Sequence, residues 1–131
     1  MTWRKSRVMC TQGFTLIELI VVMAIVALLI TIAAPRYMRS LEKSKEAVLK
    51  EDLWVMRDAL DKYYGDLGKY PNSLDELVEQ KYLRTVPVDP VTDSSATWQV
   101  VPPADPELGA VYNVKSGASG TSTIGTSYSD W

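Results

Sequence analysis

Residues 13–34 read GFTLIELIVVMAIVALLITIAA, and this stretch decides the architecture of the chain. Positions 14–34 hold twenty-one residues with a single charge, Glu18. At the helical rise that length is about 30 Å, the thickness of one bilayer core. The apolar run of a cleaved secretory signal is shorter, roughly 7 to 15 residues, and ends in a small-x-small site. Ala33-Ala34 offers only a weak site of that kind, and Pro35 with the pattern beyond it favours a continuing helix. A plain membrane anchor does not account for Glu18, because an ionisable group in a spanning helix costs about 2.5 kcal/mol or more without a partner. A cut after Gly13 would create that partner. The new α-amino group on Phe14, with a pKa of about 8, is largely cationic at neutral pH. Within one helix the two groups are loosely placed, so the expected pair joins Glu18 of one subunit to the Phe14 amine of a neighbour.

Gly13-Phe14-Thr15-Leu16-Ile17-Glu18 resembles the GFTLIE processing motif of type IV pilins and type II secretion pseudopilins. The resemblance takes in a short basic leader with Arg4, Lys5 and Arg7, glycine at the cleavage site and phenylalanine first in the mature chain. It extends to glutamate fifth and to Pro35 at the family's proline position. It implies that a prepilin peptidase cuts between Gly13 and Phe14 on the cytoplasmic side and methylates the new amine. It also implies a single-pass protein of the bacterial inner membrane with a periplasmic C-terminal domain, extracted into a periplasmic filament. Flanking charge alone does not fix that orientation, since Arg36, Arg39, Lys43 and Lys45 follow the span. Pro35 removes a helix hydrogen bond and is expected to kink or loosen the segment.

The bulk composition narrows the function classes. A chain of 131 residues that spends its first quarter on a membrane helix has room for one small globular domain. The formal net charge of -2 argues against nucleic acid as a partner, because phosphate binding calls for a basic surface. Cys10 is the single cysteine, so an intramolecular disulfide is impossible. Histidine is absent, which removes the commonest general base and transition-metal ligand. With no Gly-rich phosphate loop, metal-ligand spacing or nucleophile motif, a membrane-tethered enzyme is the weak rival, and no catalytic residue is expected.

Beyond Pro35, apolar residues recur at Leu49, Leu53, Met56, Leu60, Tyr63 and Leu67, spaced by four, three, four, three and four. That is one helical stripe, expected to pack as core against a sheet, with Gly65 and Gly68 ending the helix. The charges Glu42, Lys43, Lys45, Glu46, Lys50, Glu51, Asp52, Arg57, Asp58, Asp61 and Lys62 read as a solvated face. After Lys69-Tyr70-Pro71, a short helix is expected, capped by Asn72 or Ser73, with Leu74, Leu77 and Val78 packing inward. Asp75 and Glu76 are adjacent and point apart on a helix, which suits a dipole-favoured first turn better than an acid-base dyad. The stretch Val86-Pro87-Val88-Asp89-Pro90 reads as a stiff loop, and Asp89 with Asp93 as turn chemistry. Strands are expected at 97–101 (TWQVV) and 110–114 (AVYNV). Residues 116–128 are rich in Gly, Ser and Thr, yet Trp131 is a costly side chain to leave loose, so the tail is expected to fold back.

This order resembles the major pseudopilin of type II secretion more than a pilus subunit. The carrying residues are Lys69-Tyr70-Pro71, Val86-Pro87-Val88-Asp89-Pro90, Tyr112-Asn113, Ser116-Gly117 and Asp130-Trp131. The resemblance implies an α+β, pilin-like fold: leader 1–13, transmembrane and assembly helix 14–34, periplasmic amphipathic stem 35–67, and a small globular domain 68–131 with a C-terminal loop. It implies a homopolymeric filament that drives protein export, with the prepilin peptidase, minor pseudopilins, the inner-membrane assembly platform and the membrane itself as partners. A type IV pilus subunit, major or minor pilin, for adhesion, motility or DNA uptake is the alternative. Major pseudopilins typically hold calcium in the C-terminal loop with several aspartates. Here only Asp130 supplies a carboxylate between residues 116 and 131, Ser116 being a further weak candidate ligand, so hydrogen bonds rather than calcium are expected to fix the loop.

Overall fold

The computed structural model describes residues 2–3 and 12–131. Arg4, Lys5, Arg7 and Cys10, and with them most of the leader, lie outside the described residues. Two helices, α1 (Leu16–Leu67) and α2 (Leu74–Glu79), precede two strands, β1 (Gln99–Val101) and β2 (Asn113–Lys115), with 3-10 turns at Pro106–Leu108 and Tyr128–Asp130. This is the expected α+β order. The chain divides into two compact units, one ending at Tyr37 and the other Met38–Trp131.

In the first unit α1 begins where Thr15 takes the N-cap position: its Oγ1 accepts the Glu18 amide at 3.2 Å. The helix then runs on with its apolar side chains bare. Leu16, Ile17, Ile20, Met23, Leu28 and Ile30 are each more than half exposed. A helical segment that is apolar all round and is left uncovered by the described residues is suited to lipid or to other copies of itself. Pro35 lies inside α1, which is helical on both sides of it.

The second unit has its own core. Leu49, Leu53, Met56, Leu60 and Tyr63 are buried along one side of α1, joined by Ala59. Leu77, Leu83, Trp98, Val111, Val114, Ala118 and Tyr128 complete the cluster. Full burial of a side chain of leucine size contributes about 1.5–3 kcal/mol, so this cluster is a principal source of the unit's stability. Leu67, counted in the stripe from spacing, is 49% exposed. It falls on the last residue of α1, and the chain turns away at Gly68, whose φ is +68° and whose amide bonds the Tyr64 carbonyl at 2.8 Å. Gly65 does not end the helix; it is interior to it.

In α2, Ser73 is the N-cap and accepts the Glu76 amide at 3.2 Å. Glu76 does more than favour the helix dipole. Its carboxylate accepts the Asn72 amide at 2.6 Å and the Tyr63 hydroxyl at 2.8 Å, which fastens α2 to α1. The Asn72 amide and Tyr63 hydroxyl hold the Glu76 carboxyl below its ordinary pKa despite burial.

The sheet is smaller than the sequence suggests. The strands pair antiparallel as Gln99 with Lys115, Val100 with Val114 and Val101 with Asn113. Residues 97 and 98 are engaged elsewhere: the Thr97 and Thr92 hydroxyls bond at 2.6 Å, and the Trp98 indole donates to the Pro87 carbonyl at 2.8 Å. The Ala110 and Val111 amides both bond the Pro71 carbonyl, at 3.2 and 3.0 Å, and so leave the ladder. Arg57, read from sequence as solvated, instead ties α1 to β2. It donates to Asn113 Oδ1 and the Val114 carbonyl, both at 2.9 Å.

Candidate functional site

Gly13 and Phe14 precede the first helical residue, Leu16, and Phe14 is 89% exposed. The junction is therefore open, non-helical backbone, the form in which a peptidase can extend a substrate across its site. Gln12, Gly13, Phe14 and Glu18 line one surface recess of about 510 Å³. Glu18 stands in the first turn of α1, where unpaired amides favour a negative charge. The helix end thus offsets part of the cost of placing a carboxylate in an apolar segment. The structure brings Gly13, Phe14 and Glu18 to one place. Pro35 is not among the residues lining that recess and belongs to the interior of α1.

The C-terminal loop holds the two weak metal candidates. Ser116 is buried, its Oγ donating to Asp89 Oδ2 at 2.6 Å and accepting the Ala118 amide at 3.1 Å. Asp89 is fully buried and, as expected of turn chemistry, accepts the Val91 and Thr92 amides through Oδ1. Asp130 is exposed in the Tyr128–Asp130 turn. Among the described residues no three His, Cys, Asp or Glu side chains gather as a metal-ligand group. A hard cation needs six to eight oxygens, several of them carboxylate, and the donor set of this loop does not fit calcium.

What fastens the loop is a residue that sequence reasoning placed in solvent. Glu46 is only 7% exposed. Its Oε1 accepts the Thr123 amide at 2.7 Å and the Tyr128 hydroxyl at 2.9 Å, and its Oε2 accepts Thr123 Oγ1 at 2.7 Å. Burial pushes its carboxyl up, but the Thr123 and Tyr128 hydrogen bonds, aided by Lys50, outweigh that and hold it below the ordinary glutamate value. Burial, then the bond to Glu46, push Tyr128 up to about 12. A signal for Glu46 was present: it stands three residues before Leu49 and so continues the core spacing. The tail folds back as expected of a chain carrying Trp131. That ring packs edge-on against Tyr128 at 5.3 Å, its indole donates to Thr126 Oγ1 at 2.9 Å, and Lys50 Nζ lies 4.6 Å from its centroid.

Residues 9–34 match the prokaryotic N-terminal methylation motif. The chain is 34% identical over 95 residues to the type II secretion system core protein G of Pseudomonas aeruginosa, covering 60% of this chain and 67% of that protein. It is 33% identical over 95 residues to the protein of the same name from Klebsiella pneumoniae, covering 60% and 68% respectively. The type IV major pilin protein PilA of Myxococcus xanthus is 32% identical over 66 residues, 50% of this chain and 30% of that one. No solved structure matches.

Proposed function

The chain belongs to the type II secretion system core protein G family, and from that premise we propose that its mature form polymerises through α1 into a periplasmic filament that drives protein export. The apolar part of α1 anchors the protein in the inner membrane before assembly. One observation carries the reading: an open Gly13-Phe14 junction lies directly ahead of a helix that carries Glu18 in its first turn and leaves every apolar side chain up to Ala34 exposed. In this reading residues 1–13 are the leader, 14–34 the transmembrane and assembly helix, 35–67 the stem and 68–131 the globular domain. Gly13 and Phe14 serve processing, Glu18 sets the register between copies through the Phe14 amine of a neighbour, and Pro35 loosens the helix for assembly. Prepilin peptidase, minor pseudopilins and the assembly platform are the partners. The match to the Myxococcus pilin keeps one alternative, a type IV pilus subunit. Loss of exoprotein release on deletion supports the first reading, and loss of twitching the second.

Mass spectrometry of the membrane-extracted protein tests the processing step. The expected species starts at methylated Phe14, and Gly13→Ala should leave the full-length precursor as the main form. An intact start at Met1 in a cell with the peptidase, or a new start near Ala34, overturns the reading.

A further inference from the structure

The family's C-terminal loop implies a cation that this loop's residues do not fit, and the structure puts a carboxylate there from another element. Glu46 belongs to α1, lies 77 residues from Thr123 and 82 from Tyr128 in sequence, and meets both within 2.9 Å. Each carboxylate oxygen is engaged, Oε1 twice and Oε2 once, and no buried side-chain polar atom among the described residues lacks a partner. The hydroxyls around it are equally committed: Ser122 Oγ bonds Thr126 Oγ1 at 2.8 Å and accepts the Thr126 amide at 3.2 Å, while Ser116 Oγ is held by Asp89. A cation drawing on Glu46, Ser116 or Ser122 would have to break these bonds. We propose that Glu46 closes the segment 116–131 as a carboxylate clasp in place of a divalent cation, so that the order of this segment needs no metal.

The chemistry of the clasp is that of a charged acceptor taking three donors at once. Hydrogen bonds to an ionised group contribute about 1.5–3 kcal/mol each, against which stands the desolvation of one carboxylate. Charged and titratable groups facing the Glu46–Tyr128 pair are Lys50 and Glu42 from α1 and Asp89 from the loop that packs against the tail. Lys50 also covers the Trp131 ring. With its folded-state pKa held below 4.5, Glu46 contributes stability that is present above the ordinary glutamate value and is lost as pH falls through the lowered one.

Hydrogen exchange of the full-length protein in detergent micelles, read peptide by peptide by mass spectrometry, tests this. Protection across 116–131 should be the same in EDTA as with added calcium. Glu46→Ala should speed exchange there by about tenfold or more while the peptides of the α1 stripe stay protected. If the alanine variant loosens the whole unit, Glu46→Gln decides the case. Its carbonyl accepts from Thr123 and Tyr128 and its amide donates to Thr123 Oγ1, so protection at neutral pH should persist in EDTA. On acidification the parent should lose the near-ultraviolet dichroism of the Tyr128–Trp131 pair at a pH where the glutamine variant keeps it. Loss of parental protection in EDTA, unchanged exchange in Glu46→Ala, or a calcium-restored defect in Glu46→Gln would each overturn the clasp.

Discussion

Glu18→Ala subunits should be cut after Gly13 as the parent is and yet reach less than about one tenth of its filament yield. Under the proposed pairing each added copy brings a carboxylate into an apolar bundle, where it meets the amine of a neighbour. Removing the acid leaves that amine without its counter-charge, and an unpaired charge within a spanning segment costs about 2.5 kcal/mol or more. Every 1.4 kcal/mol is a factor of ten in an equilibrium, and the cost recurs with every subunit added. The structure shows a second effect of the side chain, its place in the first turn of a helix capped by Thr15. Glu18→Gln keeps a polar side chain of the same length beside the Thr15 cap and removes the charge. Under the proposed pairing the glutamine variant assembles as poorly as the alanine one. Quantifying sheared filaments beside processed membrane-bound subunit checks this, and parental yield from either variant would sink the pairing.

Gly109→Ala should lower the stability of the Met38–Trp131 unit by about 3 kcal/mol or more, shifting its thermal midpoint down by roughly 10 °C or further. Gly109 has φ +126° and ψ −163°, a region that side chains with a Cβ rarely enter. An added Cβ would also overlap the Tyr70 carbonyl oxygen. Neither constraint relaxes easily. The Tyr70 amide is bonded to the Leu108 carbonyl at 2.6 Å and the Pro71 carbonyl to the Ala110 and Val111 amides, so the two backbones are pinned on both sides of the contact. Tyr70 itself is stacked on Tyr64 at 4.6 Å and edge-on to Tyr112 at 5.3 Å. As a control, Gly65→Ala sits inside α1 with open space around it and should raise stability by about 0.5–1 kcal/mol. Thermal unfolding by circular dichroism reads both; an unchanged midpoint for Gly109→Ala would contradict the close approach seen here.

The parts legible in sequence are those governed by periodicity and by a fixed order of residue types. The stripe from Leu49 to Tyr63 announced itself because a helix repeats its buried face every three or four residues. Ser73 declared a helix start because hydroxyl side chains satisfy unpaired amides. The methylation motif is local and legible in six consecutive residues, 13–18. What escaped was non-local. Glu46 looks like any surface acid until Thr123 and Tyr128 are brought to it, and only its place on the stripe hinted at burial. Glu76 likewise acquired a bond to Tyr63 that no local rule supplies. The second strand was overestimated because β propensity does not reveal that the Ala110 and Val111 amides go to the Pro71 carbonyl.

The bond between Glu46 and Tyr128 closes a span of 82 residues. Such a contact has a timing as well as a strength, since loops of this length are among the last to shut as a chain organises itself. During synthesis α1 emerges long before residue 128. Until the late segment arrives, the carboxylate at position 46 lacks the donors of Thr123 and Tyr128. Completion of the unit is thereby coupled to delivery of nearly its whole length, and a chain stalled short of Tyr128 would lack the anchor of its final loop.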